Sequence, residues 1–271
     1  MQGEIIAEGL QFPEGPVWVA GSLYCTEIGA GTIARWDAAG LQRIATTGGG
    51  PNGATLGPDG ALWVTQNGGM GRENRVPGAI QRVALDGGVS TIAQELAGLK
   101  LEGPNDLAFG PDGRLYFTDP RGHSDPNRNQ KPGRIFAYDV QGKEGELLLE
   151  LEPVFPNGIG FTAAGDLVWS ESFTRRIMVR AGDRGEQLVE LPERHFPDGF
   201  CLDAAGRLYV ASTYAHCVTV IESGQIVERL HCGDGMPTNC CFGGTDLYVT
   251  ESRRGTLWRF ALGIEGLPLH R

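Results

Sequence analysis

Six side chains that carry an oxygen recur at one phased position: Glu14, Asn52, Asn105, Asn157, Asp198 and Thr238. Each follows a proline and opens a short apolar segment. The copies read PEGPVW at 13–18, PNGATL at 51–56, PNDLAF at 104–109, PNGIGF at 156–161, PDGFCL at 197–202 and PTNCCF at 237–242. Two of the six are carboxylates and three are amides. Brought to one point, they would form an all-oxygen environment, which is what a hard divalent cation such as Ca²⁺ takes from carboxylates, carbonyls and water. No thiol or imidazole occupies the position, so a soft-metal site is disfavoured. Asn, Asp and Gly before a strand also serve as ordinary turn residues. That accounts for one or two copies, but not for Glu14, which is a poor turn former.

Six distant segments can converge only if the chain repeats. Each copy is followed by a second apolar segment, LYCT, LWVT, LYFT, LVWS, LYVA or LYVT, whose Leu lies 10 or 11 residues beyond the proline. Turns such as GPDG at 57–60 and 110–113 separate the two, a hairpin signature between alternating apolar strands. A third strand follows in every copy (TIARWD, AIQRVAL, RIFAYD, RIMVRA, CVTVIE, TLWRFA) and a fourth in five copies. Copies begin at 13, 51, 104, 156, 197 and 237. Four strands in about forty residues is the period of a propeller blade. The expected fold is all-β: one six-bladed β-propeller domain over residues 1–271, four antiparallel strands to a blade. The sixth copy lacks a fourth strand, and GEIIAEG at 3–9 is a strand with no blade of its own. Pairing the two closes the ring and covers both free edges.

In that fold the first strand of each blade lines the axis, and the six ring residues meet at one mouth of the channel. The second strand runs back to the same mouth, so Glu27, Gln66, Asp119, Glu171 and Glu251 form a second tier there, with a solvated strand end as the plainer reading of each. Copies two and three are longer, and the extra length falls at 66–78 and 119–133. Loops of this length are frequently functional. They carry Arg72, Asn74, Arg121 and His123, and the site is expected to bind substrate through Asn52, Asp119, Arg121 and His123.

Composition excludes several classes. A net charge of −10 argues against a nucleic-acid partner. No apolar run approaches the length of a membrane span, and the first residues do not read as a signal peptide. The six cysteines form no CxxC pair, which fits free thiols and a cytoplasmic location. His216-Cys217 and His231-Cys232 lack zinc spacing and read as strand residues. GGGPNG at 48–53 matches a dinucleotide fingerprint in letters only, because a strand rather than a helix follows it. No GxSxG elbow is present. His195 reads as a loop residue near Asp198.

The stretches FPEGPVW at 12–18, PNDLAFGPDGRLYFTDPRG at 104–122, FPNGIGF at 155–161 and FPDGFCLD at 196–203 together resemble the senescence marker protein (regucalcin)/gluconolactonase/luciferin-regenerating enzyme family. The resemblance covers nearly the whole chain. It implies a divalent cation, Ca²⁺ first with Zn²⁺, Mn²⁺ or Mg²⁺ as alternatives, held by Glu14, Asn157, Asp198 and Asn105. Members of the regucalcin type place an arginine, which holds the sugar, where this chain has Gly103. The expected function is hydrolysis of a small-molecule lactone. Asp198 would activate water or attack directly, and Asn105 would position metal and substrate. A phosphotriesterase on the same metal, or a binding module without chemistry, are the rival readings.

Overall fold

The computed structural model describes residues 2–69, 74–181 and 184–270. Arg72, one of the loop residues singled out above, lies outside them. Six four-stranded antiparallel sheets make the molecule. Blade one, for example, runs Pro13–Val19, Ser22–Glu27, Thr32–Asp37 and Gly40–Thr46. The sixth blade takes Pro237–Gly243, Asp246–Glu251 and Thr256–Ala261 from the end of the chain and Glu4–Ala7 from its start. Glu4 pairs with Arg259 and Ile5 with Trp258, so the ring closes as the orphan strand requires. The only helical element among the described residues is a single 3-10 turn, Thr213–Ala215.

Because each sheet is buried on both faces, the core is a set of layers between neighbouring blades rather than one centre. Trp63 of blade two packs with Phe109, Phe117 and Phe136 of blade three. Ile159 and Trp169 of blade four pack against Tyr116 and Ile135 of blade three. Leu23 and Cys25 of blade one meet Tyr248 and Leu257 of blade six. The second strands are buried, and Leu115–Asp119 and Leu167–Glu171 are buried at every residue.

The long loops fall between the second and third strands of blades two and three, which end and resume at Gln66 and Ala79, and at Asp119 and Gly133. Part of the extra length of copy two lies elsewhere than 66–78. A small hairpin, Glu95–Leu96 with Leu99–Lys100, stands between blades two and three.

Candidate functional site

Five of the six ring residues sit inside their first strand, not before it; only Asn105 precedes one, at Leu107–Phe109. In those five strands the pairing slips immediately after the opening proline or the ring residue. The slips lie between Glu14 and Val17, Pro51 and Ala54, Pro156 and Ile159, Pro197 and Phe200, and Pro237 and Asn239. A bulge bends its strand and re-aims the side chain beside it. Here it recurs at the position that carries the ring.

The next residue is glycine in four blades, and packing explains it. A Cβ on Gly158 would stand 2.6 Å from the carbonyl oxygen of Asp198, and one on Gly15 would stand 2.5 Å from the amide nitrogen of Ala54. The inner strands can approach the axis this closely only without side chains there. The other two blades place Asp106 and Asn239 at this level. Asn239 Nδ2 donates to Asp106 Oδ2 at 3.2 Å, a buried bridge across the channel.

A belt of hydroxyls fixes the ring's backbone. Thr26 donates to the carbonyl of Asn52 at 2.5 Å, Thr118 to that of Asn157 at 2.7 Å and Ser170 to that of Asp198 at 2.7 Å. Thr65 donates to the carbonyl of Asn105. Each hydroxyl stands one residue before the end of its second strand and reaches the ring residue of the next blade. Blade five has Ala211 there, and the ring residue that follows it, Thr238, is the one that does not line the mouth cavity. Its hydroxyl donates to the carbonyl of Pro13 at 3.0 Å.

The remaining five, Glu14, Asn52, Asn105, Asn157 and Asp198, line one cavity of about 380 Å³ together with Phe12, Asn67, Arg75, Gly103, Arg121 and Phe155. That size falls in the small-molecule range, roughly 300–1,000 Å³. Its floor is acidic. Glu14 is held well above its ordinary pKa by burial, with Asp198 and then Asp106 adding repulsion. Asp198 is raised to about 8 by loss of water and by Asp106, against the pull of its hydrogen bond with Asn157. Asp106 is raised to about 7 by burial. The side-chain amide of Asn157 donates to Ser172 Oγ at 3.2 Å, but its buried Oδ1 has no partner. A buried acceptor without a donor is costly, and a cation would satisfy it and quiet the crowded acids together. Among the described residues no group of three or more His, Cys, Asp or Glu side chains stands in metal-holding geometry. Amide oxygens would therefore have to complete the set, as they can for a hard cation.

The second tier behaves differently from both of its sequence readings. Glu27, Gln66, Asp119, Glu171 and Glu251 are buried, neither solvated nor facing the cavity. Asp119, expected to meet substrate, accepts the amides of Gly103 at 2.8 Å and Glu102 at 3.3 Å and so holds the cavity wall from behind. Glu27 does the same for Gln11 at 2.9 Å and Glu251 for Met236 at 2.7 Å. These three carboxylates latch the segments leading into the first strands of blades one, three and six.

Of the loop residues, Arg121 lines the cavity and is paired there with Glu102 at 2.8 Å. His123 does not line it. Its Nδ1 accepts the amide of Asp125 at 2.9 Å and caps its own turn. His195 accepts from Arg229 Nε at 3.2 Å, outside the cavity. Arg75 is a residue that the sequence reading passed over, and so are Asp106 and Asn239. The last two had a signal, since they break a run of glycines at one repeated position. The six cysteines are free. No helix among the described residues is long and apolar enough to cross a membrane.

Residues 12–253 match the family model of the SMP-30/Gluconolactonase/LRE-like region. The chain is 26% identical to the gluconolactonase of Zymomonas mobilis over 92% of its own length and 78% of that protein's. It is 27% identical to the pentonolactonase of Haloferax volcanii over 92% of its own length and 84% of that protein's. Among solved structures, a gluconolactonase from Xanthomonas campestris superposes with a TM-score of 0.79 at 23% identity, covering 97% of this chain and 89% of the other. With five of its six ring residues gathered at the mouth of one channel, and with this match over most of its length, the chain belongs to the SMP-30/gluconolactonase/LRE-like family.

Proposed function

We propose that this protein is a lactonase that works with one divalent cation, Ca²⁺ in the first instance, at the mouth of the channel. The observation that carries the reading is the unpartnered Oδ1 of Asn157 beside two acids, Glu14 and Asp198, that crowd each other in a small-molecule cavity. Relatives named gluconolactonase and pentonolactonase supply the substrate class. Glu14, Asn157, Asp198 and Asn105 would hold the cation. When bound, it supplies Lewis-acid polarisation of the lactone carbonyl and charge stabilisation for the oxyanion that develops there.

The chain's own residues do the rest. Asp198 takes a proton from water at a carboxylate oxygen as the water oxygen bonds to the carbonyl carbon. The ring carbon–oxygen bond breaks, and the same proton returns to the departing alkoxide, leaving a hydroxy acid. Phe12 and Phe155 wall the cavity and limit bulk water, which strengthens the electrostatics inside. Asn52 presents donors to substrate hydroxyls.

The test is metal content by mass spectrometry on purified protein, followed by a pH-indicator assay over aldonolactones and one phosphotriester. Stoichiometric divalent metal with lactone turnover that a chelator abolishes supports the reading. Turnover of the phosphotriester alone moves the chemistry to phosphorus, and bound metal with neither activity makes the propeller a binding module.

A further inference from the structure

We infer that the substrate carries a second, anionic group, a carboxylate or phosphate remote from the lactone carbonyl, and that Arg75 receives it. The inference rests on the lactonase reading above and names the substrate class more narrowly. Two arginines line the cavity, and they differ in what they hold. Arg121 is spent on Glu102 at 2.8 Å, with Glu150 at 3.9 Å, and only 13% of its side chain is exposed. Arg75 has no hydrogen bond or ion pair among the described residues, and its side chain is exposed. Among the described residues it is the free cation of the site.

Its surroundings are shaped for a substituent. Gly69, Gly103 and Gly122 line the cavity along with Arg75. A Cβ on Gly103 would meet nothing nearer than the carbonyl oxygen of Asn67 at 3.9 Å, so the cavity is open at Gly103. Asp119 keeps Gly103 in place from behind. The charges are also sorted by depth. Glu14, Asp106 and Asp198 crowd the axis, and the one unpaired positive charge among the described lining residues, Arg75, stands on the wall contributed by the blade-two loop. An anionic tail is attracted to this wall. That orients the ring with its carbonyl toward Asp198. A guanidinium offers paired donors that match carboxylate or phosphate oxygens bidentately.

The test needs no turnover. Calorimetry on the full-length protein with divalent cation present would compare three ring-opened probes of equal carbon length: an aldonate, an aldarate with a second carboxylate, and an aldonate phosphorylated at its far end. The wild type should bind at least one dianionic probe about tenfold or more tightly than the aldonate, as expected for a charge-assisted pair. The probe that gains identifies carboxylate or phosphate. Arg75→Gln should erase that advantage while binding the aldonate as before, and Arg75→Lys should restore part of it. An aldarate and phosphate probe no tighter than the aldonate in the wild type, or an advantage that survives in Arg75→Gln, overturns the inference. Because aldonate binding and lactone turnover are scored separately, loss of the lactonase reading would show as their absence in the wild type and not as a change at Arg75.

Discussion

The two ends of the channel are built from the same six strands and have opposite chemistry. At the mouth, the first residues of those strands supply Glu14, Asn52, Asn157 and Asp198 to a polar cavity. A few residues further along, Phe109, Phe161, Phe200, Leu202 and Phe242 surround an apolar cavity of about 140 Å³ at the other end. The tail covers it. Leu267 donates to the carbonyl of Leu202 at 2.9 Å, and the ring of His270 packs edge-on against Phe161. A strand that begins with Pro and a polar residue and continues with apolar residues therefore writes a polar end and an apolar end in six letters. The layer of Asp106 and Asn239 lies between them and touches the apolar cavity from above.

If the mouth is the chemical end, its acids should matter for turnover and little for folding. Asp198→Asn should lower kcat/KM about a thousandfold, since an amide cannot accept the proton from water, and excess divalent cation should not restore it. Glu14→Gln should weaken metal binding, with turnover partly recovered as the cation is raised. Near wild-type turnover by Asp198→Asn with metal supplied would end its assignment as the base. At the sealing end the pattern should invert. Phe109→Ala removes a side chain that is 2% exposed and should cost about 3–5 kcal/mol in a denaturant titration, with metal affinity unchanged. A fall in metal affinity of the same size would mean the two ends are not separable.

How much of this contrast the sequence carried depends on what repetition can reveal. The blade count, the closing strand and the ring followed from six phased copies, because chance cannot maintain that spacing. The latches did not. Asp119 and Glu251 look like strand-end acids in the sequence, and only the fold shows that they turn back to the amides of Gly103 and Met236. Thr118 and Ser170 were equally visible at one aligned position. Their partners lie in the next blade, across a separation that no local pattern encodes. Arg121 and His123 came from the same loop with the same argument, and the structure separates them because turn capping is decided by backbone geometry.

Two smaller effects sharpen the comparison. Saturating the mouth with cation at about a hundred times its dissociation constant adds about 2.7 kcal/mol to stability by linkage. Chelation should therefore lower Tm by about 5–10 °C. An unchanged Tm in calorimetry would argue that nothing is bound there. Thr118→Val removes the donor to Asn157 and should cost about 1 kcal/mol while loosening metal binding slightly. The equivalent change at Thr250, whose hydroxyl faces Thr238 and Asn239 rather than a residue of the mouth, should cost similar stability with no change in metal binding.

The closing strand also sets a timetable. Glu4 leaves the ribosome long before its partner Arg259 exists. At about 5–20 residues per second of synthesis the wait is roughly 10–50 seconds. Throughout it the nascent chain holds a hydrogen-bonding edge at Glu4–Ala7 with no mate, and each completed blade offers its face to the next. Circularity, which protects the finished molecule from its own edges, makes the unfinished one adhesive, and it ties the closing of the ring to the return of the strand Glu4–Ala7.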